Sequence, residues 1–298
     1  MAHAINAQPR RQFLARQAIR LAVYGPSYPG RKLFSTPAHL IARLRGAQVA
    51  TVTLPDGIRT QVMRVPARPD TPQRPPVVLL HGWMELKEMH LPHARLLARH
   101  GHDVLLVDQR GHGRSAATPS TIGTRETHDL TAIIDDARKR QWITGRYCLW
   151  GFSMGGAVAI RHAVTDPDVA ALVTIAPYAD LDAAIDTFRA RLPLGMTRET
   201  VRAASDQIAS EIGFDIDDAN PAAVIGNLCA PLLMIEGGLD NTLPADRHSQ
   251  RLVALKKHGP VESLRVPWAN HFLICRRFWP SVDKRVISFY NKYAHTQP

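Results

Sequence analysis

The chain has 298 residues, of which 45% are hydrophobic, 21% charged and 6% aromatic. This balance is typical of one large soluble globular domain and excludes a disordered chain. No apolar run approaches the roughly 18–20 residues that a bilayer span requires, so the sequence predicts no transmembrane helix. Three widely separated cysteines, Cys148, Cys229 and Cys275, are too few for a disulfide framework or a zinc cluster and favour a reducing, cytoplasmic setting.

Residues 1–46 form a basic N-terminal arm, with helical patterns broken at Gly25-Pro26 and again at residues 29–30. Residues 1–55 contain eight Lys or Arg and no Asp or Glu, whereas the formal net charge of the whole chain is +11. Such an arm can make weak contact with an anionic membrane, and a solvated or self-packed extension is the alternative. No nucleic-acid-binding motif accompanies it, so we expect no nucleic-acid partner.

Arg10 and Arg11 resemble the start of a twin-arginine export signal. Arg16 and Arg20 then interrupt the uncharged segment that such a signal needs, so export is only the alternative to a cytoplasmic location. Residues 10–24 also show no clean apolar face at helical spacing, because arginines fall on the same side as Phe13.

The remaining chain alternates between strand and helix patterns. β-Branched residues at 47–54 and 58–65 flank an Asp-Gly turn and predict a β-hairpin, and five prolines at 66–76 predict a connecting loop. Short apolar runs then predict strands and longer periodic segments predict helices. The strands are 77–80, 104–107, 147–150, 169–175, 232–235 and 264–266, and the helices are 91–100, 125–140, 154–164, 245–257 and 279–293.

Uninterrupted apolar strands between helices predict an α/β fold with a mostly parallel sheet covered on both faces. Residues 181–228 break the alternation, because they carry helical patterns and no strand. They lie just before the predicted strand 232–235, so we interpret them as a helical cap over the carboxyl ends of the strands. The core is then formed by residues 47–180 and 229–298.

Residues 151–155 read Gly-Phe-Ser-Met-Gly and match the motif G-x-S-x-G between a predicted strand and a predicted helix. A serine on such a strained turn needs small neighbours two positions away on either side, and the turn exposes its Oγ. Ser153 is therefore the candidate nucleophile. The backbone N–H of Met154 begins the following helix, so it is a candidate donor to a developing oxyanion.

A serine nucleophile needs a base, and the base needs an orienting acid. His271 follows the last predicted strand and is the candidate base. Asp240 follows the strand 232–235, which gives the chain order Ser, Asp, His, while Asp180 and Asp246 are the alternative acids. Active sites of parallel sheets collect at the carboxyl ends of strands, where all three candidates fall.

The second oxyanion donor is expected in the loop after strand 77–80, at the backbone N–H of Trp83. His81 and His112 lie in strand-end loops and are interpreted as structural. His90 and His93 are three residues apart but lack an evident third ligand, so we expect no metal site.

These features resemble the α/β-hydrolase superfamily over residues 47–295. Residues 108–115 resemble the D-x-R-G-H-G-x-S loop of that fold, and residues 121–130 are similar to a stretch of its serine aminopeptidase-like and bacterial esterase-like branches. The resemblance implies a Ser-His-Asp triad, no cofactor and a helical cap at residues 181–228.

The leading hypothesis is a carboxylic ester hydrolase acting on a small-molecule ester. The alternatives are an aminopeptidase or amidase, which would need an acidic anchor on the cap, a thioesterase, and a non-catalytic binding scaffold. Asp182, Asp186, Glu199 and Asp206 are the available anchors. No proposed catalytic residue lies in the arm, so removing residues 1–45 is predicted to leave turnover nearly intact. The sequence does not indicate an oligomeric state.

Overall fold

One mixed β-sheet organises the chain. The computed structural model describes residues 7–28, 30–190, 196–276 and 279–294, and its described strands follow the order β1-β2-β4-β3-β5-β6-β7-β8 across the sheet. In chain order the strands are β1 Gln48–Thr53, β2 Arg59–Val65, β3 Arg74–Leu80, β4 His102–Val107, β5 Tyr147–Phe152, β6 Val169–Ile175, β7 Leu232–Gly237 and β8 Val261–Val266.

The predicted α/β fold with a mostly parallel sheet is confirmed. β1 and β2 form the expected antiparallel hairpin, and β2 runs antiparallel to β4. Every other neighbouring pair of strands is parallel. The carboxyl ends of β3 to β8 therefore meet at one edge of the sheet, where the loops that follow them gather.

The prediction that residues 66–76 form only a loop is wrong at its end. β3 begins at Arg74, so Pro75 and Pro76 lie inside a central strand. Proline cannot donate a ladder hydrogen bond, and the pairing with β4 is irregular between Arg74 and Val77. The carbonyl of Pro75 accepts a hydrogen bond from His102 Nδ1 at 2.7 Å, and regular pairing with both neighbouring strands runs from Val77 onward.

Helices flank this sheet at its faces and at its carboxyl edge. In the described parts of the chain they are α1 Ala7–Tyr24, α2 Arg31–Leu44, α3 Leu91–Ala98, α4 Thr124–Lys139, α5 Met154–Thr165, α6 Leu181–Arg189, α7 Arg198–Ile212, α8 Pro221–Val224, α9 Ser249–Leu255, α10 His271–Ile274 and α11 Pro280–Tyr293. Short 3₁₀ turns add Gly25–Ser27, Lys87–His90 and Ile225–Asn227.

The predicted cap segment contains α6, α7 and α8. Its described residues, 181–190 and 196–228, hold no strand, while residues 191–195 lie outside the described chain. The insertion falls between β6 and β7, just before the strand that Asp240 follows.

The strands are apolar along their length because both faces of the sheet are covered. Alternate residues point to opposite faces, so Leu79 and Trp150 enter one cluster with α3 and α11. Leu80 and Leu149 enter a second cluster with α4 and α5. All four side chains are almost fully buried. This two-sided packing fixes the strand ends that carry the candidate site.

None of the helices in the described residues combines the length and the apolarity that crossing a bilayer requires.

Candidate active site

The turn between β5 and α5 holds Ser153 in a strained backbone conformation. Its φ is 51° and its ψ is −117°, a region that few non-glycine residues adopt. The N–H of Ser153 donates to the carbonyl of Ile175 at 2.9 Å, and the loss of this backbone geometry would turn Oγ away from the site. The strain is therefore maintained by the neighbouring strand β6.

The two glycines of the motif permit close approaches of the backbone. A Cβ at Gly151 would lie 2.4 Å from the carbonyl oxygen of Gly155. A Cβ at Gly155 would lie 2.4 Å from the carbonyl oxygen of Leu80 and 2.6 Å from that of His81. Any side chain at Gly155 would therefore push α5 away from the end of β3 and separate the two candidate oxyanion donors.

The structure brings together the three residues predicted from the strand ends. His271 Nε2 lies 3.0 Å from Ser153 Oγ, and His271 Nδ1 lies 2.6 Å from Asp240 Oδ2. The side chains of Asp240 and His271 are 1% and 6% exposed, respectively. Little water reaches the pair, so the carboxylate can hold the imidazole in one tautomer and orientation.

Asp240 reaches His271 because the loops after β7 and β8 are bonded to each other. Gly238 N donates to the carbonyl of Val266 at 2.8 Å, and Leu239 N donates to that of Ala269 at 3.0 Å. The second oxygen of Asp240 accepts hydrogen bonds from the backbone N–H groups of Thr242 and Leu243, at 2.9 and 2.8 Å. The carboxylate is thus fully bonded and has one orientation.

The two alternative acids are occupied elsewhere or exposed. Asp180 is the N-cap of α6, where its side chain accepts a hydrogen bond from Ala183 N at 2.7 Å, and its other oxygen pairs with Arg251. Asp246 is exposed in the loop before α9. The geometry therefore places Asp240, and neither alternative, beside the imidazole.

The two candidate oxyanion donors lie at adjoining segments. Met154 is the first residue of α5, so its N–H is among those with no acceptor inside the helix. Trp83 lies in the tight turn that Glu85 N closes by donating to Gly82 O at 3.2 Å. Gly155 lies against the backbone of Leu80 and His81, so the start of α5 is in contact with the residues that lead into this turn.

Glu85 braces the Trp83 turn, a role that the sequence reading missed. Its Oε2 accepts from Gly82 N at 2.9 Å and contacts His90 Nε2 at 2.8 Å, while its Oε1 lies 3.2 Å from Arg276 Nη2. Burial raises the pKa of Glu85, but His90, Gly82 and Arg276 together lower it to about 2. The only sequence signal was an acid three residues after a loop glycine, a spacing that suits a bond to the glycine N–H.

His81 and His112 have the structural roles expected of them. His81 Nε2 accepts from Gln109 N at 3.1 Å, and His112 Nε2 accepts from Met84 N at 3.2 Å. Burial lowers the pKa of His112 to about 3, so it is neutral at pH 7. His90 pairs with Glu85, and within the described residues no group of three or more His, Cys, Asp or Glu has a geometry that could hold a metal ion.

The predicted cap segment packs apolar side chains beside the start of α5. Residues of α6, α7 and the segment that follows them share one buried cluster with Met154. Trp83 is half-buried against this cluster, and its ring meets that of Phe188 edge-on with centroids 5.9 Å apart. On the other side of the site, Phe272 stands edge-on to His271 at 5.6 Å and is 64% exposed. The surroundings of Ser153 are therefore mainly apolar.

The basic arm is part of this site's scaffold and is not a free extension. The carbonyl of Ala22 accepts from Trp83 Nε1 at 2.8 Å. Ser120 N donates to Val23 O at 3.0 Å. Helix α1 also packs its buried Ala15 against α7 of the cap. These contacts tie the arm to both the oxyanion turn and the cap.

The link between α1 and α2 is held just as firmly to the core. Arg31 is 3% exposed and donates from Nη2 to Ser115 O at 2.8 Å. Ser27 Oγ donates to the carbonyl of Thr118. A buried guanidinium and the carbonyls it satisfies are costly to leave unpaired.

Removal of residues 1–45 is therefore expected to lower turnover of a soluble ester by on the order of 100-fold, because the Trp83 turn would shift. This replaces the expectation from sequence alone that turnover would be nearly intact. Thermal melting and ester kinetics on the truncated and full-length proteins would measure the effect. A truncated protein that is folded and turns over near the wild-type rate would show that the arm does not position the site.

The arrangement has the parts of an acyl-transfer site. It offers a strained serine hydroxyl, an imidazole within hydrogen-bond distance, a buried carboxylate behind it, and the N–H of Met154 at the start of the helix that follows the serine. No cofactor or metal is needed for that chemistry.

Comparison with known proteins finds similarity in sequence to a hydrolase family and in fold to an esterase. Residues 71–211 match the model of the serine aminopeptidase S33 family. The structure is similar to that of an esterase, Pf2001, of Pyrococcus furiosus, with a TM-score of 0.67, 23% identity, and coverage of 84% of this chain and 92% of the esterase.

Two curated relatives are more similar in sequence over shorter segments. The chain is 33% identical over 144 residues to the sn-1-specific diacylglycerol lipase ABHD11 of Danio rerio. The aligned segment covers 45% of this chain and 44% of the lipase. It is 27% identical over 214 residues to the human protein ABHD12B, and that aligned segment covers 68% of this chain and 57% of ABHD12B. The chain therefore spans about half the length of these relatives.

Proposed function

We propose that this chain, which has the α/β-hydrolase fold and matches the serine aminopeptidase S33 family model over residues 71–211, is a serine hydrolase that cleaves carboxylic esters. The observation that carries the proposal is the continuous hydrogen-bonded path from Ser153 Oγ through His271 to Asp240, which lies beneath an apolar cap. Such a path activates a hydroxyl that is otherwise a weak nucleophile.

In the proposed reaction, Ser153 Oγ attacks the ester carbonyl carbon while His271 Nε2 takes the hydroxyl proton. Asp240 stabilises the imidazolium that forms. The N–H groups of Trp83 and Met154 bind the oxyanion. Collapse of the tetrahedral intermediate breaks the bond to the alcohol oxygen, which receives the proton from His271. Water then attacks the acyl-enzyme by the same route and releases the acid.

The aminopeptidase alternative would need a free acid near the site to bind an amino terminus. Asp182, Asp186 and Asp206 each pair with an arginine of the cap instead. Glu199 lies exposed in the first turn of α7. An ester substrate needs no such anchor, and an alcohol leaves more readily than an amine, so the paired acids favour ester over amide substrates.

A panel of p-nitrophenyl esters and aminoacyl p-nitroanilides, assayed with purified protein, tests the proposal. We expect turnover of esters at rates well above those of the anilides. Faster hydrolysis of an aminoacyl anilide than of every ester would overturn the ester proposal in favour of the peptidase, and inactivity on both would favour a binding scaffold.

The cap is expected to select among acyl chains. Phe188→Ala removes the ring that meets Trp83, and we expect kcat/KM for an octanoyl ester to fall on the order of tenfold relative to that for an acetyl ester, since the longer chain loses apolar contacts. Leu255→Ala, a change at a half-exposed leucine on α9, is the control and should leave the ratio unchanged. Equal ratios in wild type and Phe188→Ala would place the acyl chain away from the cap.

A further inference from the structure

The described side chains of helix α2 are arranged in the opposite sense to those of an ordinary surface helix. Ala42 and His39 are buried, at 3% and 9% exposure, and Ala38 packs partly against the core. A surface helix normally turns its large apolar residues inward. Among the side chains of α2 that the structure describes, the inward ones are small or polar, and the large apolar residues lie on the outer face.

Those large residues form a continuous stripe on the outer face. Leu33, Leu40, Ile41 and Leu44 are 77%, 54%, 45% and 79% exposed. At about 100° per residue they fall within an arc of about 100°, and Pro37 falls within the same arc. We call these five residues the α2 stripe. A contiguous apolar patch of this kind marks an interaction site.

Basic residues border the α2 stripe on both sides. At helical spacing Arg43 falls on one side of the stripe and Arg45, which follows the last helical residue, falls on the other. Both are exposed, and neither forms an ion pair with any residue in the described chain. Residues 1–55 supply no acid.

The charge pattern distinguishes between two occupants of the stripe. In a twofold dimer the same surface would face itself, so Arg43 and Arg45 would meet arginines with no acid on the helix to pair with them. A bilayer containing anionic lipid instead offers hydrocarbon to the leucines and phosphate to the arginines. An apolar face together with basic residues is the combination that binds helices to the plane of a membrane surface.

We propose that helix α2 is a docking surface for an anionic lipid bilayer, with the α2 stripe inserted at the level of the headgroups. The helix is bonded to the loop near the site, because His39 Nδ1 lies 3.0 Å from Glu88 Oε1 in the 3₁₀ turn Lys87–His90. That turn belongs to the same loop as Trp83. Docking would therefore hold the loop at the carboxyl edge of the sheet, where Ser153 lies, close to the lipid surface.

Co-sedimentation of the full chain with vesicles of phosphatidylcholine, with and without 30% phosphatidylglycerol, tests the proposal. We expect binding to the anionic vesicles that weakens when salt is raised from about 0.1 M to about 1 M, since the Debye length falls from about 10 Å to about 3 Å. Leu40→Glu with Leu44→Glu should weaken that binding on the order of 100-fold. Arg43→Gln with Arg45→Gln should weaken it on the order of tenfold.

Leu255→Glu provides the control, because it places a glutamate at a half-exposed leucine on α9, away from the α2 stripe, and should leave vesicle binding unchanged. Thermal melting of every variant checks that the fold survives. Absence of binding by the wild type, or equal binding by the double glutamate variant, would overturn the proposal. Formation of a dimer that the double glutamate variant abolishes would assign the α2 stripe to a second copy of the chain. Because vesicle binding requires no turnover, this test stands apart from that of the ester hydrolase.

Discussion

Ser153→Ala is expected to lower turnover of a p-nitrophenyl ester by on the order of 10⁴-fold or more, because it removes the nucleophile and leaves only oxyanion and binding effects. The substitution deletes one oxygen atom and keeps a Cβ at the residue whose φ is 51°. The fold should therefore survive, and thermal melting would verify it. A fluorophosphonate should label the wild type at Ser153 and leave the variant unlabelled.

Ser205→Ala is the matched control. Ser205 is buried on cap helix α7, and its Oγ has no hydrogen-bond partner among the residues that the structure describes, so its loss should barely change turnover or stability. If folded Ser153→Ala retains turnover near the wild-type rate, the hydrolysis does not use the serine of this turn and the proposed function is wrong.

Asp240→Asn is expected to lower turnover by on the order of 10³–10⁴-fold, because an amide beside His271 Nδ1 favours the wrong tautomer of the ring and cannot stabilise the imidazolium. The amide oxygen can still accept from Thr242 N and Leu243 N, which bond the carboxylate at 2.9 and 2.8 Å. The loop should therefore hold its shape, and kcat should fall more than KM rises.

Asp180→Asn provides the comparison, since Asp180 was the alternative acid and caps α6. It should lower stability, because it weakens the N-cap hydrogen bond to Ala183 N and the ion pair with Arg251, while leaving kcat nearly unchanged. Adding Asp240→Asn to Ser153→Ala should lower the residual rate little further, because residues that act as one unit are not additive. A silent Asp240→Asn beside an inactive Asp180→Asn would transfer the orienting role to Asp180.

The site residues could be predicted from the sequence because each follows the end of a buried strand. Ser153 lies in a motif in which a Cβ at either glycine would come within 2.4 Å of a backbone carbonyl oxygen, so the turn requires glycine at both positions. Asp240 and His271 follow the ends of β7 and β8, and parallel strands bring their carboxyl ends together whatever the details of the helices. Strand order was therefore enough to propose their meeting.

The role of the arm could not be predicted in the same way. Its main attachments join side chains or indole N–H groups to backbone carbonyls, as at Arg31 with Ser115 O and at Trp83 with Ala22 O. Bonds of this kind carry no periodic signal. The early start of β3 was missed for a different reason, because its two prolines read as a loop although the strand tolerates them at an irregular pairing.

The attachment of α1 to the cap has a consequence for the order of synthesis. Arg20 pairs with Glu211 at 2.8 Å, across 191 positions of the chain. At about 5–20 residues per second, α1 emerges from the ribosome about 10–40 s before its partner exists. A ribosome-bound chain arrested before Glu211 emerges should therefore leave α1 open to protease, whereas the released protein should protect it.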